Sequence, residues 1–456
     1  MRVKQIYKMF VIALCIALGG CTLVKPEKSA EPRRLKIMYY SEDYFYQEYG
    51  DLFSTKYPNI EVQVVDYRGI DYESEKDGIK AETNFINKEQ PDVVLLSAEQ
   101  YELYAADGML LELDSFIRKE NYDIDGIYPT IIDLLKEKGG GKLYGLSPRF
   151  YGNALFYNAD LFAKYGVELP HDKMTWQEIL ELARRFPADG DEKERVYGFG
   201  LQGSVTSDRL LDTLASSIAY TQGLTTVNPG TLKVTANTDS WRNVWKMALE
   251  AANSGAIYSP KEDFWGGSLE EYYLHKPFLM GRMAMTVDDS YLLQNIKQVK
   301  ERIKAFKPFQ LGIAAGPVDP FEPDSSRDIQ LQEIFAIRAG SPNSDAAWEF
   351  IKYVNGVEYA KIKSRTMNGN LLSRMGSYKE EYAENGLEAF YALKPKTVSN
   401  GRESDIPNEF YPLFEELTKR EIQRVQAKET TLDEALDRIQ AEGQTVLDRI
   451  VKADQS

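Results

Sequence analysis

Short apolar runs alternate with amphipathic stretches in the N-terminal third of the chain, and this pattern narrows the fold more than any other feature. "LKIMYY" (35–40), "IEVQVVDY" (60–67) and "DVVLLS" (92–97) have the length and β-branched character of strands. Between them lie "EDYFYQEYGDLFSTKYPN", stopped at Pro58 and Asn59, a helix over about 74–88, and "AEQYELYAADGML", stopped at Gly108. Parallel strands need a crossover, and a helix supplies it. The alternation therefore predicts an α/β class with a mostly parallel sheet covered on both faces. More strands are predicted at 151–158, 282–287 and 333–339, and more helices near 206–220, 238–254, 268–281 and 290–301. From about Asp345 the chain reads as largely helical. Thr175 followed by Glu178 forms a capping box ahead of "WQEILELA". A length of 456 residues exceeds what one hydrophobic core serves, which predicts two lobes.

Both cysteines, Cys15 and Cys21, stand at the N-terminus. Arg2, Lys4 and Lys8 precede an apolar run from Met9 to about Leu18, the shape of a signal peptide and too short to span a bilayer comfortably. Leu18, Gly19 and Gly20 then lead into Cys21, which resembles a bacterial lipobox. Cleavage at residue 20 would leave Cys21 as a lipidated (palmitate-bearing) N-terminus. An ordinary signal peptide with an incidental cysteine is the alternative. Residues 21–34 are rich in Pro, Lys, Glu and Ser and read as a flexible tether. No later segment has spanning length, so the body is expected to be anchored rather than embedded.

A formal charge of −15 argues against nucleic acid or an anionic membrane surface as partner. Aromatic residues make up 12% of the chain, with 29 Tyr, more than a core needs. His171 and His275 are the two histidines, which disfavours a His-based metal site or a Ser–His–Asp triad. "NYDIDG" (121–126) imitates half a calcium loop, but Ile132 stands where the bidentate Glu belongs. "PADGDEKERVYG" (187–198) is acidic without ligand spacing. No metal and no cofactor are expected. A glycoside hydrolase using paired carboxylates is the enzymatic alternative, although no local motif nominates a pair.

Several phrases together resemble the extracellular solute-binding proteins of ABC importers, in the branch that contains maltose-binding protein. They are "LFSTKYPNIEV" (52–62), "PDVVLLS" (91–97), "GKLYGLSPRFYGNALFYNADLFAKYGVELP" (141–170), "TWQEILELA" (175–183), "FLMGRMAMTVDDSYLL" (278–293), "SPNSDAAWEFIKYV" (341–354) and "TLDEALDRI" (431–439). The resemblance covers most of 35–451. It implies a periplasmic-binding-protein-like fold of type II, with two lobes hinged by three crossover segments. Mapped by motif, the crossovers lie near 147–154, 284–288 and 329–336. That gives lobe 1 as 35–148 plus 286–331, and lobe 2 as 149–285 plus 332–456. The resemblance further implies a monomeric subunit, without catalytic activity, that closes on a carbohydrate and delivers it to permease subunits. It would sit at the outer face of the cytoplasmic membrane, or on the periplasmic side in a two-membrane host. A non-sugar solute is a second alternative.

A sugar needs flat aromatic surface for its C–H faces and carboxylates or amides for its hydroxyls. Ser41, Glu42 and Asp43 follow the first strand, where the family places polar contacts; a helix cap with dipole acids is the competing reading. Glu99 and Gln100 follow "PDVVLLS" and compete with a solvated first helical turn. Tyr151 occupies a crossover position from which relatives contact ligand. Arg149 either clamps an acidic sugar or pairs with a surface acid. In "MTVDDSYLL", Tyr291 stands where the family often has Trp, behind Asp288 and Asp289, which alternatively cap the next helix. Trp265 is the tryptophan best placed for stacking, and Gln202 is a further polar candidate. Trp241, Trp245 and Trp348 read as core.

Overall fold

The computed structural model describes residues 33–454 except 73, 76–77, 192–193, 204, 263, 265–266, 305, 332, 366–370, 377–385 and 397–405. Cys21, the signal segment, most of the tether and Trp265 lie outside the described residues. Two mixed sheets organise the rest into two lobes. The first sheet has five strands in the order Ile60–Asp66, Arg33–Tyr39, Val93–Leu96, Ile334–Ile337, Gly145–Leu146. The second has four, in the order Leu311–Ala314, Asn153–Asn158, Met283–Asp289, Tyr197–Leu201.

The first three strands of the first sheet run parallel, each followed by a helix, as the alternation predicts. Ile334–Ile337 runs antiparallel to both Val93–Leu96 and Gly145–Leu146, so the sheet is mixed rather than mostly parallel. This strand comes back from the other sheet and does not follow a local crossover helix, so the right-handed parallel crossover does not govern its direction.

Strand pairing corrects the expected lobe boundaries. Met283–Asp289 is a central strand of the second sheet, between Asn153–Asn158 and Tyr197–Leu201, so no crossover occurs at 284–288. Leu311–Ala314 also pairs with Asn153–Asn158, which places it in lobe 2 rather than lobe 1. Conversely, Ile334–Ile337 belongs to the first sheet, although 332–456 was expected in lobe 2. The chain passes between sheets at 147–152, again at 315–333, and a third time after Leu371–Leu372, which pairs with Arg149–Phe150. The helices Phe410–Gln426 and Leu432–Asp454 then bury Phe410, Leu417, Leu436 and Leu447 in the core of lobe 2.

Strand alternation sorts the second sheet's faces. In Asn153–Asn158, Ala154 and Phe156 join the core that continues into lobe 1, while Leu155 joins the separate core of lobe 2. The helix Trp176–Ala183 starts as its sequence dictates. The Thr175 side chain accepts from the Glu178 amide at 3.3 Å, and the Glu178 carboxylate accepts from the Thr175 amide at 2.7 Å. Trp241, Trp245 and Trp348 are buried. Among the described residues no helix is long and apolar enough to cross a membrane.

Candidate functional site

The strand Met283–Asp289 is buried from Met283 to Val287 and then releases Asp288 and Asp289 at its C-terminal end. Asp289 holds the turn into the helix Tyr291–Arg302: its Oδ1 accepts from the Tyr291 amide at 2.8 Å. Its Oδ2 accepts from Gln202 Nε2 at 3.0 Å, and Gln202 sits just past Tyr197–Leu201 on the neighbouring strand. Asp288 accepts from the Asp289 amide at 2.9 Å. Gln202, Asp288, Asp289 and Tyr291 thereby line one cavity of about 240 Å³, together with Tyr258, Tyr272 and Lys276. Burial, reinforced by the charge of Asp289, pushes the Asp288 carboxyl up to about 7.

A second cavity of about 370 Å³ shares Leu201 and Gln202 with the first and extends to Asn153, Ser217, Tyr220 and Asp328. Asp328 accepts from Asn153 Nδ2 at 3.2 Å, and burial pushes it up to about 6. A third, of about 270 Å³, shares Ser216 and Tyr220 with the second and reaches Trp241, Ile406 and Tyr411. The second and third both border the helix Leu210–Thr221, and the first adjoins the second at Leu201 and Gln202.

Tyr151 lines none of the three cavities; it stands on the first crossover, two residues before Asn153. Its amide donates to Gln330 O at 3.0 Å and its carbonyl accepts from the Gln330 amide at 2.9 Å, joining the first and second crossovers. The Gln330 side chain donates to Tyr220 Oη at 3.0 Å. The half-buried Tyr151 phenol lies within electrostatic reach of Tyr291 and of Tyr40. Tyr40 and Tyr291 are 45% and 44% exposed, so their faces are available to a ligand. Tyr40 stacks on Tyr67 with ring centroids 5.8 Å apart, which fixes its orientation.

Arg149 pairs with a buried acid rather than a surface one or a ligand. Its Nε and Nη2 donate to Glu333 at 2.7 and 2.5 Å, and Glu333 also accepts from Tyr39 at 3.0 Å and Tyr49 at 2.5 Å. Burial opposes the guanidinium charge, but Tyr49 and Glu333 outweigh it and hold the group protonated. With its fork filled by Glu333, Arg149 braces the crossover beneath Tyr151.

On the first sheet, Ser41 caps its helix by accepting from the Tyr44 amide at 3.3 Å, and Glu42 and Asp43 are exposed in the first turn. Gln100 completes a capping box with Ser97 and also donates to Glu82, so its amide is committed; Glu99 is exposed. Asp123, the half calcium loop's central acid, accepts from Arg374 at 2.8 Å and from the Gly126 amide at 3.1 Å. Among the described residues no group of three His, Cys, Asp or Glu is disposed to hold a metal. Sequence reading missed Asn153, Asp328, Tyr220, Tyr258, Tyr272 and Lys276. Asn153 and Asp328 lie 175 positions apart, and no local signal links them.

Residues 39–361 match the family described as bacterial extracellular solute-binding protein. The chain belongs to that family. Its members bind solutes without catalysis, which removes the hydrolase alternative. A putative binding protein of Brucella abortus is 25% identical over 279 residues, spanning 59% of this chain and 58% of that relative. The chain thus covers less than two thirds of the curated relative it matches. The sugar-binding protein MalE of Xanthomonas citri is similar at a TM-score of 0.59 and 15% identity, over 93% of this chain and 99% of that one. An ABC substrate-binding protein of Listeria monocytogenes, solved with cycloalternan, has a TM-score of 0.52 and 21% identity over 91% and 98%. Maltose-bound MalE3 of T. maritima has 0.54 and 17% over 91% and 100%. At these identities the structures establish a shared fold for this solute-binding protein.

Proposed function

We propose that this solute-binding protein serves an ABC importer and that its solute is an oligosaccharide bound between the lobes. The observation that carries the reading is the set of three adjoining cavities lined in part by Tyr220 and Tyr291, with Tyr151 tied to Tyr220 through Gln330. Tyrosine faces cover sugar C–H surfaces, while Gln202, Asp288 and Asp289 take hydroxyls. Three adjoining cavities suit several sugar units better than one. Cycloalternan and maltose, the ligands of two proteins with this fold, support the class. Tyr40, Ser41, Glu42, Asp43 and Glu99 follow strands of the first sheet and would form the opposite wall. Trp265 remains a stacking candidate. Binding would favour the closed arrangement of the lobes by the ligand's differential affinity for it, and permease subunits would read that shape. Cys21 would carry the lipid that keeps the protein outside the cell; several acyl chains hold firmly where one does not.

Thermal-shift screening against a glycan panel tests the class, since a ligand at 100 times its Kd adds about 2.7 kcal/mol of stability. Tyr151→Ala and Tyr291→Ala should each weaken the best hit several-fold and leave the unliganded Tm nearly unchanged. A panel without a hit would overturn the carbohydrate reading. Unaltered affinity in both variants would overturn the site.

A further inference from the structure

The 370 Å³ cavity differs from its neighbour in charge and in hydrogen-bonding sense. Asp328 is the one charged group among its described lining residues, whereas Lys276 accompanies Asp288 and Asp289 next door. The Asp328 partner, Asn153 Nδ2, is neutral. Arg327, adjacent in sequence, is turned elsewhere: its Nη1 donates to Thr221 O at 2.8 Å and approaches Asp319 at 4.0 Å. A carboxylate taken from water without a cation is costly, and the cost is recovered when a cation arrives with its own hydrogen-bond donors.

The hydroxyls point the same way. Ser217 donates to Thr213 O at 2.8 Å, Thr221 to Ser217 O at 3.1 Å, and Tyr220 to Arg327 O at 2.9 Å. Trp176 Nε1 is spent on Thr221 Oγ1 at 2.9 Å. These donors are committed to protein atoms, and Tyr220 Oη also accepts from Gln330 Nε2 at 3.0 Å; the Ser217 lone pairs and the Asp328 oxygen turned from Asn153 are left to accept. An acceptor-rich cavity with one anion fits a group that carries several donors and no acceptor, which is an ammonium.

We propose that this cavity takes a protonated amine, so that the solute is an oligosaccharide bearing an unacetylated amino sugar. The inference rests on the carbohydrate reading above and names the solute more narrowly. Asp328 is the counter-ion, and the Ser217 oxygen accepts a further N–H bond. Units in the adjoining cavity present ordinary hydroxyls to Gln202 and Asp289.

Calorimetric titration near neutral pH with glucosamine, N-acetylglucosamine and malto-oligosaccharides of equal length tests this on the wild-type chain. The glucosamine oligomer should bind at least about tenfold more tightly than either neutral one, as one charge-assisted hydrogen bond supplies. Asp328→Asn keeps the side-chain shape and should erase that preference. Neutral oligomers that bind as tightly as glucosamine would overturn the amine assignment and leave the carbohydrate reading standing. A preference that survives in Asp328→Asn would overturn the role of Asp328. If no glycan binds but spermidine does, and does so through Asp328, the amine site stands and the carbohydrate reading falls. No binding by any of the four overturns both. The wild-type preference is read independently of how the variant folds.

Discussion

Asp288 shows how a single carboxyl couples binding and stability. Burial and the neighbouring Asp289 raise it to about 7, against the pull of Lys276 and Gln202. An unfolded Asp titrates near 3.9, so between about pH 4 and pH 7 the folded chain binds the extra proton. Its contribution to stability therefore falls as pH rises through that window, and Asp328 acts with the same sign up to about pH 6. Asp288→Asn should flatten the unliganded stability profile over this range and raise stability above pH 7. The gain is at most about 1.4 kcal/mol for each tenfold difference in proton affinity between the folded and unfolded chain. Urea titrations at several pH values check it, and identical profiles for variant and wild type would count against a buried Asp288. At this scale the sequence is informative where partners are local. "SAEQ" (97–100) announces the capping box that occupies Gln100, and "DDSY" (288–291) announces the turn held by Asp289. It is silent on Asn153 and Asp328, because a contact across 175 positions leaves no local pattern.

Among elements, the approach of helix to strand depends on one glycine. A Cβ on Gly198 would stand 2.0 Å from Ala183 O, at the end of the helix Trp176–Ala183. Gly198→Ala must push that helix off the strand Tyr197–Leu201, at a cost of about 1–3 kcal/mol or more. A lower urea midpoint with an unchanged slope is the expected signature. The strand also ends at the cavities, so the same variant should weaken ligand binding. The elements themselves are largely legible in the sequence, since periodicity and caps are local. The helices Asp114–Glu120 and Pro129–Lys138 are not: one is short, and the other stops at three consecutive glycines, Gly139, Gly140 and Gly141. The π-helical turn Tyr46–Gly50 inside the first helical stretch is also beyond pattern reading.

For the whole molecule, the crossovers matter most. Arg149 lies on the first and Glu333 at the end of the second, and both Tyr39 and Tyr49 of lobe 1 donate to Glu333. This network fixes the backbone from which Tyr151 and Gln330 pair. Removing Glu333 leaves Arg149 only the longer contact to Glu48 at 3.4 Å, and breaking a buried pair costs up to about 3–5 kcal/mol. Glu333→Gln should therefore lower the unfolding free energy by that order and also weaken ligand binding, although Glu333 lines none of the three cavities. Denaturation and titration on the same preparation test both halves. Loss of stability with full affinity would mean that the network does not position Tyr151.

From its sequence alone the chain determined its class: alternating strand and helix patterns, local caps and an ordered set of family phrases are properties of neighbouring residues. Only the tertiary structure decided which strands share a sheet. Ile334–Ile337 joins lobe 1 and Met283–Asp289 lobe 2 because pairing depends on long-range closure and on which sheet edge is open, not on the residues of the strand. The same closure brings Asp328 to Asn153, and Arg149 to Glu333 across 184 positions, and so creates the cavities and the brace beneath them.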